Sequence, residues 1–323
     1  MFEITPAKCR IWSKMGSRAT FGAAMLELAS QRDDVIVLSA DLVTSSGLDR
    51  FKKTYPDRCV NVGIAEQNLI GVASGLAREG FTVFVTSFAP FISMRAGEQI
   101  RMNLGYMKVN VKAVGLGSGL AMGHLGNSHY GLEDMSVMRS VPNMTVLCPA
   151  DGAEIFKSVF AAAEFNGPVY IRLCGGVDNP VVYEGDYGFE IGRSIKLRDG
   201  KDLSIIANGA ALYNCISAAD ILDKSGISAS VINMHTVKPL DTAAVDEAAM
   251  KAPIVTVEEH SIIGGLGSAV AERKTAWKNA YPQLTIGLPD AYGKSGDYAY
   301  LLEKYGLTGK KIAEKIKAFL QGA

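Results

Sequence analysis

The stretch VNVGIAEQNLIGVASGLA, Val60 to Ala77, sets one carboxylate, Glu66, among glycines, alanines and aliphatics. An ionised carboxylate taken out of water without a partner is strongly unfavourable, so Glu66 either meets a partner or keeps its proton. Gly63, Ala65, Gly71, Ala73, Ser74, Gly75 and Ala77 leave a helix face almost free of side chains, which another group could approach closely. The helix dipole favours any first-turn Glu, by well under about 1 kcal/mol. That alone does not explain why the neighbours are so small and apolar. A second stretch, SFAPFISMRAGEQIR, runs from Ser87 to Arg101. Phe88 and Phe91 fall at a strand-to-helix turn, where two rings could wall a flat pocket; an isolated pair would simply be core. A planar, nitrogen-containing ring held between Phe88 and Phe91, with Glu66 bonded to one ring nitrogen, satisfies both features.

The elements that must position these residues follow from the alternation of apolar runs and helical patterns. Val35–Asp41, Cys59–Gly63, Thr82–Phe88, Val109–Gly117, Met144–Ala150 and Pro168–Cys174 read as buried strands. Helix-length segments lie between most of them, at Arg18–Arg32, Glu66–Glu79, Ser93–Leu104 and Ala153–Glu164. Such alternation predicts a parallel, doubly wound α/β sheet. From Gly175 to Gly200 the pattern breaks into a Gly- and Asp-rich segment. A second alternation follows, with strands at Leu203–Gly209, Ala229–His235, Ile254–Glu259 and Leu284–Pro289 and a last basic amphipathic helix at Gly309–Leu320. The expected fold class is therefore α/β, with two independent, doubly wound domains of mainly parallel sheet: 1–180, a linker at 181–200, and 201–323. In open α/β sheets ligands sit outside the carboxyl ends of the strands, which is where Glu66, Phe88 and Phe91 fall.

Composition narrows the partners. The 323 residues are 48% hydrophobic and 20% charged, enough for ample cores. Lys+Arg and Asp+Glu both number 33, so nothing points to nucleic acid or an anionic membrane. Cys9, Cys59, Cys148, Cys174 and Cys215 are dispersed and show no metal-ligand spacing, as expected of reduced thiols in the cytoplasm. No signal-like or membrane-length apolar run is present.

VGIAEQN, TSFAPFISMRAGEQIR and GNSHYGLEDMSVMRSVPNMTVLCPADGAE together resemble the pyrimidine-binding half of transketolases. VKPLD (Val237–Asp241) and TVEEHSIIGGLGSAVAE (Thr256–Glu272) resemble the C-terminal domain of the same thiamine-diphosphate enzymes. The likeness runs from about Arg18 to the end of the last helix. Transketolases hold the diphosphate and Mg²⁺ (or Ca²⁺) in a further N-terminal domain, through a GDG motif and later Asn residues. This sequence has only GDY, at Gly185–Tyr187 and Gly296–Tyr298. The resemblance thus implies the second subunit of a split transketolase, inactive alone, with metal ligands on a partner chain, in an α2β2 heterotetramer.

It also implies roles for single residues. Glu66 would hydrogen-bond N1′ of the aminopyrimidine as a carboxyl that prefers to be neutral, so that it shares a proton with the ring and controls its tautomer. Phe88 and Phe91 would hold the ring, with Met94 where a third aromatic often stands and Arg95 beside it. Asp41 and Leu42 would lie next to the thiazolium. At the substrate end the resemblance places Arg18, Ser45 and Arg172, which together could form an anion site. His129 corresponds to a substrate-binding, catalytic histidine, and His124 is an extra candidate. Leu125 stands where the family has an acid and Gly117 lies near where it has a histidine, which implies a ketose with an unusual tail, a modified sugar phosphate or another anionic one.

Other readings remain open on sequence. His124, His129, Glu133 and Asp134 have metal-ligand types without fixed spacing. The turn at Gly264 and Gly265 fails the dinucleotide pattern in both phases, and Glu258, Glu259 and His260 are expected at an interface. Within the superfamily, a 1-deoxyxylulose-phosphate-synthase-like enzyme and a 2-oxoacid dehydrogenase β subunit also keep a Glu in this helix context. A non-catalytic assembly subunit is the reading from a different class.

Overall fold

A computed structural model describes residues 3–322. Its strands are β1 (Val35–Ser39), β2 (Cys59–Asn61), β3 (Thr82–Phe88), β4 (Val111–Ser118), β5 (Thr145–Leu147), β6 (Val169–Cys174), β7 (Ile195–Arg198), β8 (Leu203–Ala207), β9 (Ala229–Asn233), β10 (Thr236–Lys238), β11 (Ile254–Ser261) and β12 (Gln283–Leu288). They form a seven-stranded sheet, ordered β10-β5-β6-β4-β3-β1-β2, and a five-stranded sheet, ordered β12-β11-β8-β9-β7. Each sheet is parallel except for one antiparallel edge strand, β10 against β5 and β7 against β9. This is the mixed, helix-covered α/β class read from the alternating pattern.

Both faces of the first sheet are buried, so every residue of β1, β3 and β4 is buried and the three strands read as mainly apolar runs. One face carries the helices Pro6–Gln31 and Gly152–Glu164, with Trp12 stacked on Phe156 at 4.1 Å between centroids. Glu66–Arg78 and Asp134–Ser140 bury their apolar residues in the core of the other face. The helix Pro6–Gln31 breaks at Gly16 (φ 76°, ψ 172°), whose left-handed conformation only glycine takes at no cost. That break sets Ser17 and Arg18 at the start of a fresh helical run. Between Phe91 and Tyr106 the chain is helical but partly widened to π turns, a form often found beside functional sites.

Two short strands change the expected organisation. β7 lies inside the segment read as linker. β10, from the second half of the chain, joins the first sheet and buries Val237 there. Lys238 Nζ on that strand donates to the carbonyls of Arg139 and Val141 at 2.8 and 2.5 Å. The halves are therefore not independent bodies: β5 would otherwise expose an unpaired edge, and β10 covers it.

Candidate functional site

The carboxyl ends of the parallel strands converge on one edge, and the sequence candidates sort themselves there. Glu66 opens the helix Glu66–Arg78 just after Gly63, which turns the chain at φ 76°. Its side chain is 1% exposed, yet it is not alone. Ser87 Oγ, near the end of β3, donates to Oε1 at 2.9 Å, and Arg95 Nη1 donates to Oε2 at 2.8 Å. Burial pushes the carboxyl pKa up. The hydrogen bond from Arg95, the residue's own backbone N–H, Ser87 and the Arg95 charge outweigh that and hold it below the ordinary value. Of the two fates open to a buried carboxyl, Glu66 meets the first. In this chain it is an ion-paired carboxylate, which corrects the expectation of a neutral acid in an all-apolar site.

Phe88, Phe91 and His129 close into one aromatic cluster. Their centroids lie 6.0 Å (Phe88–Phe91), 5.4 Å (Phe88–His129) and 5.2 Å (Phe91–His129) apart, all edge-on. Arg95 lies with its guanidinium carbon 4.2 Å over the Phe91 ring, so it bridges the carboxylate and the aromatic wall. Burial, with His124 nearby, lowers the His129 pKa and keeps its ring neutral at pH 7. Met94 is exposed and does not complete the wall.

Asp41 follows β1 in a left-handed conformation (φ 60°) held by Asn61. Asn61 Nδ2 donates to Asp41 Oδ1 at 2.8 Å, while Asn61 Oδ1 accepts from the backbone N–H of both Asp41 and Gly63 at 3.0 Å. One amide thus fixes the Asp41 loop and the turn that presents Glu66. Leu42 N–H donates to Ser39 Oγ at 2.9 Å. Neither Asn61 nor Ser87 stands out from sequence as a candidate. Asn61 carries a usable signal, because Asn two residues before a Gly marks an Asx-turn.

Arg18 and Ser45 do meet: Arg18 Nη1 donates to Ser45 O at 3.2 Å, and burial lowers the Arg18 pKa. Both line a cavity of about 260 Å³ with Gly16, Thr44, Gly117 and Gly175. Arg172 does not join them. It is fully buried, its Nε 3.0 Å from both Asp134 carboxylate oxygens and its Nη2 donating to Gly131 O and Glu259 O at 2.9 and 2.8 Å. Its donors are spent inside the protein, so the expectation of a substrate contact at Arg172 is corrected: the middle of a buried strand has no access to a ligand. His124 and Leu125 lie exposed on the Gly119–Gly131 loop.

The same geometry removes the metal reading of His124, His129, Glu133 and Asp134, because Asp134 also accepts from Tyr170 Oη at 2.7 Å. Among the described residues no group of three or more His, Cys, Asp or Glu could hold a metal ion. Glu258 accepts the N–H groups of Leu266 and Gly267 at 2.7 and 2.8 Å, so the glycine turn serves a helix-capping carboxylate. Glu259 Oε1 takes the Leu120 N–H at 2.6 Å and Oε2 the Tyr298 hydroxyl at 2.5 Å, at the junction of the two halves.

Two family profiles match the chain: transketolase, pyrimidine binding domain, over residues 13–175, and transketolase, C-terminal domain, over residues 192–312. The chain belongs to the transketolase family. It is 42% identical over 303 residues to a putative transketolase C-terminal section of Methanocaldococcus jannaschii, covering 93% of this chain and 95% of that one. It is 41% identical to the 6-deoxy-6-sulfo-D-fructose transketolase subunit SqwH of Clostridium sp. (strain MSTE9), covering 91% of each. A solved split-gene transketolase, described as an inactive β4 tetramer, superimposes with a TM-score of 0.83 at 41% identity, over 94% of this chain and 97% of that one. This transketolase chain therefore corresponds to the section that works with a partner subunit, and the family implies thiamine diphosphate.

The residues present fit the pyrimidine end of that cofactor. Glu66 offers a fixed carboxylate edge, Phe88 and Phe91 an aromatic wall, and a Cβ built on Gly63 beside Glu66 would meet nothing within 4 Å. Among the described residues, no helix is long and apolar enough to cross a membrane.

Proposed function

We propose that this chain is the C-terminal subunit of a two-chain transketolase, moving a two-carbon ketol unit from a ketose to an aldose. The observation that supports it best is one constellation: the ion-paired Glu66, buried at a helix start, beside the Phe88–Phe91–His129 cluster at the sheet's carboxyl edge. Thiamine diphosphate supplies the carbanion chemistry that neither substrate supports alone. Glu66 holds the proton at the pyrimidine's ring nitrogen, Phe88 and Phe91 orient the ring and exclude water, and Asp41 with Leu42 border its far end. Asn61 and Ser87 fix the Asp41 loop and the Glu66 carboxylate.

The diphosphate and Mg²⁺ (or Ca²⁺) are held mainly by the partner subunit, in an α2β2 heterotetramer with a site at each interface between unlike chains. Arg18 and Ser45 bind the anionic tail of the ketose, and neutral His129, with His124 at the same mouth, contacts its hydroxyls. Leu125, in place of an acid, suits a tail unlike that of an ordinary pentose phosphate. The decisive experiment mixes this chain with its partner, thiamine diphosphate and Mg²⁺, and screens a panel of sulfonated and phosphorylated ketoses. Ketol transfer is expected only with both chains present and is lost in Glu66→Ala. Activity of either chain alone, or retained turnover in Glu66→Ala, refutes the assignment.

A further inference from the structure

Arg95 is the feature that the proposed roles leave unexplained. The carboxylate it touches is buried, whereas Arg95 itself is 47% exposed. Ser87 is buried on its strand, so one half of the Glu66 coordination is shut off from solvent and the other half is open to it. While paired with Glu66, the Arg95 guanidinium also lies 4.2 Å over the Phe91 ring, and its half-exposed side chain reaches water. Its main chain is tied down independently, because Gln67 Nε2 donates to Arg95 O at 3.2 Å. The side chain can therefore leave Glu66 while the helix beneath it stays in place. Among the described residues, Arg95 is the side chain that forms an ion pair with this carboxylate, Ser87 and the helix N–H are neutral donors, and His129 packs edge-on against the two phenyl rings.

We infer that Arg95 is a displaceable counter-ion. It occupies the Glu66 carboxylate in the chain without cofactor and yields that oxygen to the nitrogen of the incoming aminopyrimidine. The inference rests on the proposed role of Glu66 but reverses the one that sequence resemblance implied for Arg95, which competes with the cofactor instead of binding it. The competition has two consequences. A buried carboxylate stripped of this counter-ion is costly, so the arginine keeps the site folded and charged before loading. Loading then replaces an ion pair with a proton-sharing one. The carboxylate and a neutral ring nitrogen must together take up one proton from solvent, since neither brings one at neutral pH. Balance is complete: the guanidinium leaves for water with its charge, and the incoming proton restores the charge of the pair.

The test uses the assembled pair of subunits with Mg²⁺ and titrates thiamine diphosphate calorimetrically at pH 7.5, in buffers of differing ionisation enthalpy. Wild type is expected to take up about one proton per site. Arg95→Met, which keeps a side chain over Phe91, is expected to bind the cofactor about tenfold tighter with a smaller uptake. Arg95→Lys, still a cation but without the planar fork, should fall between the two. Unchanged or weaker binding in Arg95→Met, or a wild-type uptake near zero, overturns the inference. Glu66→Gln separates this failure from failure of the underlying reading. If that variant binds cofactor with wild-type affinity and proton uptake, Glu66 does not meet the ring at all. If it weakens binding and abolishes uptake while Arg95→Met changes nothing, Glu66 keeps its role and Arg95 is no competitor of the cofactor.

Discussion

Asn127 and Gly293, 166 residues apart in sequence, exchange two hydrogen bonds across the two halves of the chain. Asn127 Nδ2 donates to Gly293 O at 2.7 Å, and Gly293 N–H donates to Asn127 Oδ1 at 2.9 Å. Tyr130 Oη adds a bond to Lys294 O at 2.8 Å, and Gly296 N–H one to Gly123 O at 3.0 Å. The loop so held carries His124, Leu125 and His129. The second half of the chain thus does more than associate, because it fixes the loop at the proposed substrate mouth. Asn127→Ala should cost only about 1 kcal/mol of stability, as expected for exposed bonds. In the assembled enzyme it should raise KM for the ketose several-fold and leave thiamine diphosphate affinity unchanged. An equal loss of cofactor affinity would show that the contact merely supports the fold.

The Asp134–Arg172 pair, by contrast, is a matter of stability. Both side chains are 0% exposed, and Arg172 also satisfies the Gly131 and Glu259 carbonyls. Removing one partner strands a buried charge, so Arg172→Met should destabilise the chain by about 3–5 kcal/mol. Removing both charges, in Asp134→Leu with Arg172→Met, should recover part of that loss. Urea unfolding of the three proteins checks it; a double variant no more stable than the single one would place the loss in the carbonyls rather than in the charge.

His235 makes the chain sensitive to acid. Its ring stacks on Phe189 at 4.2 Å, its Nε2 has no hydrogen-bond partner among the described residues, and burial pushes its pKa down to about 4. Between that value and the ordinary value of about 6.5, the unfolded chain binds a proton that the folded one refuses. The folded state therefore loses stability as pH falls through this window, by about 1.4 kcal/mol per pH unit from this residue. His235→Phe, which keeps the stack, should gain about 2.5 kcal/mol relative to wild type between pH 7.5 and 4.5. A difference that does not change with pH would mean that His235 does not titrate there.

What the sequence showed and what it hid follow from interaction range. β3 runs from Thr82 to Phe88, as its mainly apolar, β-branched run indicates, and Glu66 begins its helix where the small residues do. These signals are local. β10 has three residues, too few for a period, and its partner β5 lies about ninety positions earlier. The Glu66–Arg95 pair spans 29 positions and joins two elements, so no spacing rule reveals it. Arg172 misled for a related reason. A strand-end arginine and a mid-sheet one look alike in sequence, and only the place of Asp134 tells them apart.

The helix Glu66–Arg78 poses the last question, because its small residues divide between two faces. Ala73 and Ser74 are buried against the sheet, whereas Gly71 and Gly75 face outward, and a Cβ on either would meet nothing within 4 Å. Two glycines on an exposed helix surface cost about 1 kcal/mol each relative to alanine, with no contact inside this chain to account for them. Ile64, just ahead of the helix, is 76% exposed. A surface that gives up helix stability and leaves an isoleucine in water suits close approach by another backbone, and in the proposed assembly that backbone belongs to the partner subunit. Gly71→Ala with Gly75→Ala should therefore raise the stability of the isolated chain by about 1–2 kcal/mol. The same pair of changes should weaken assembly with the partner at least tenfold, measured by sedimentation of the mixed subunits. Full assembly at unchanged affinity would mean that the partner passes this helix at a distance, and that the bare face has another cause.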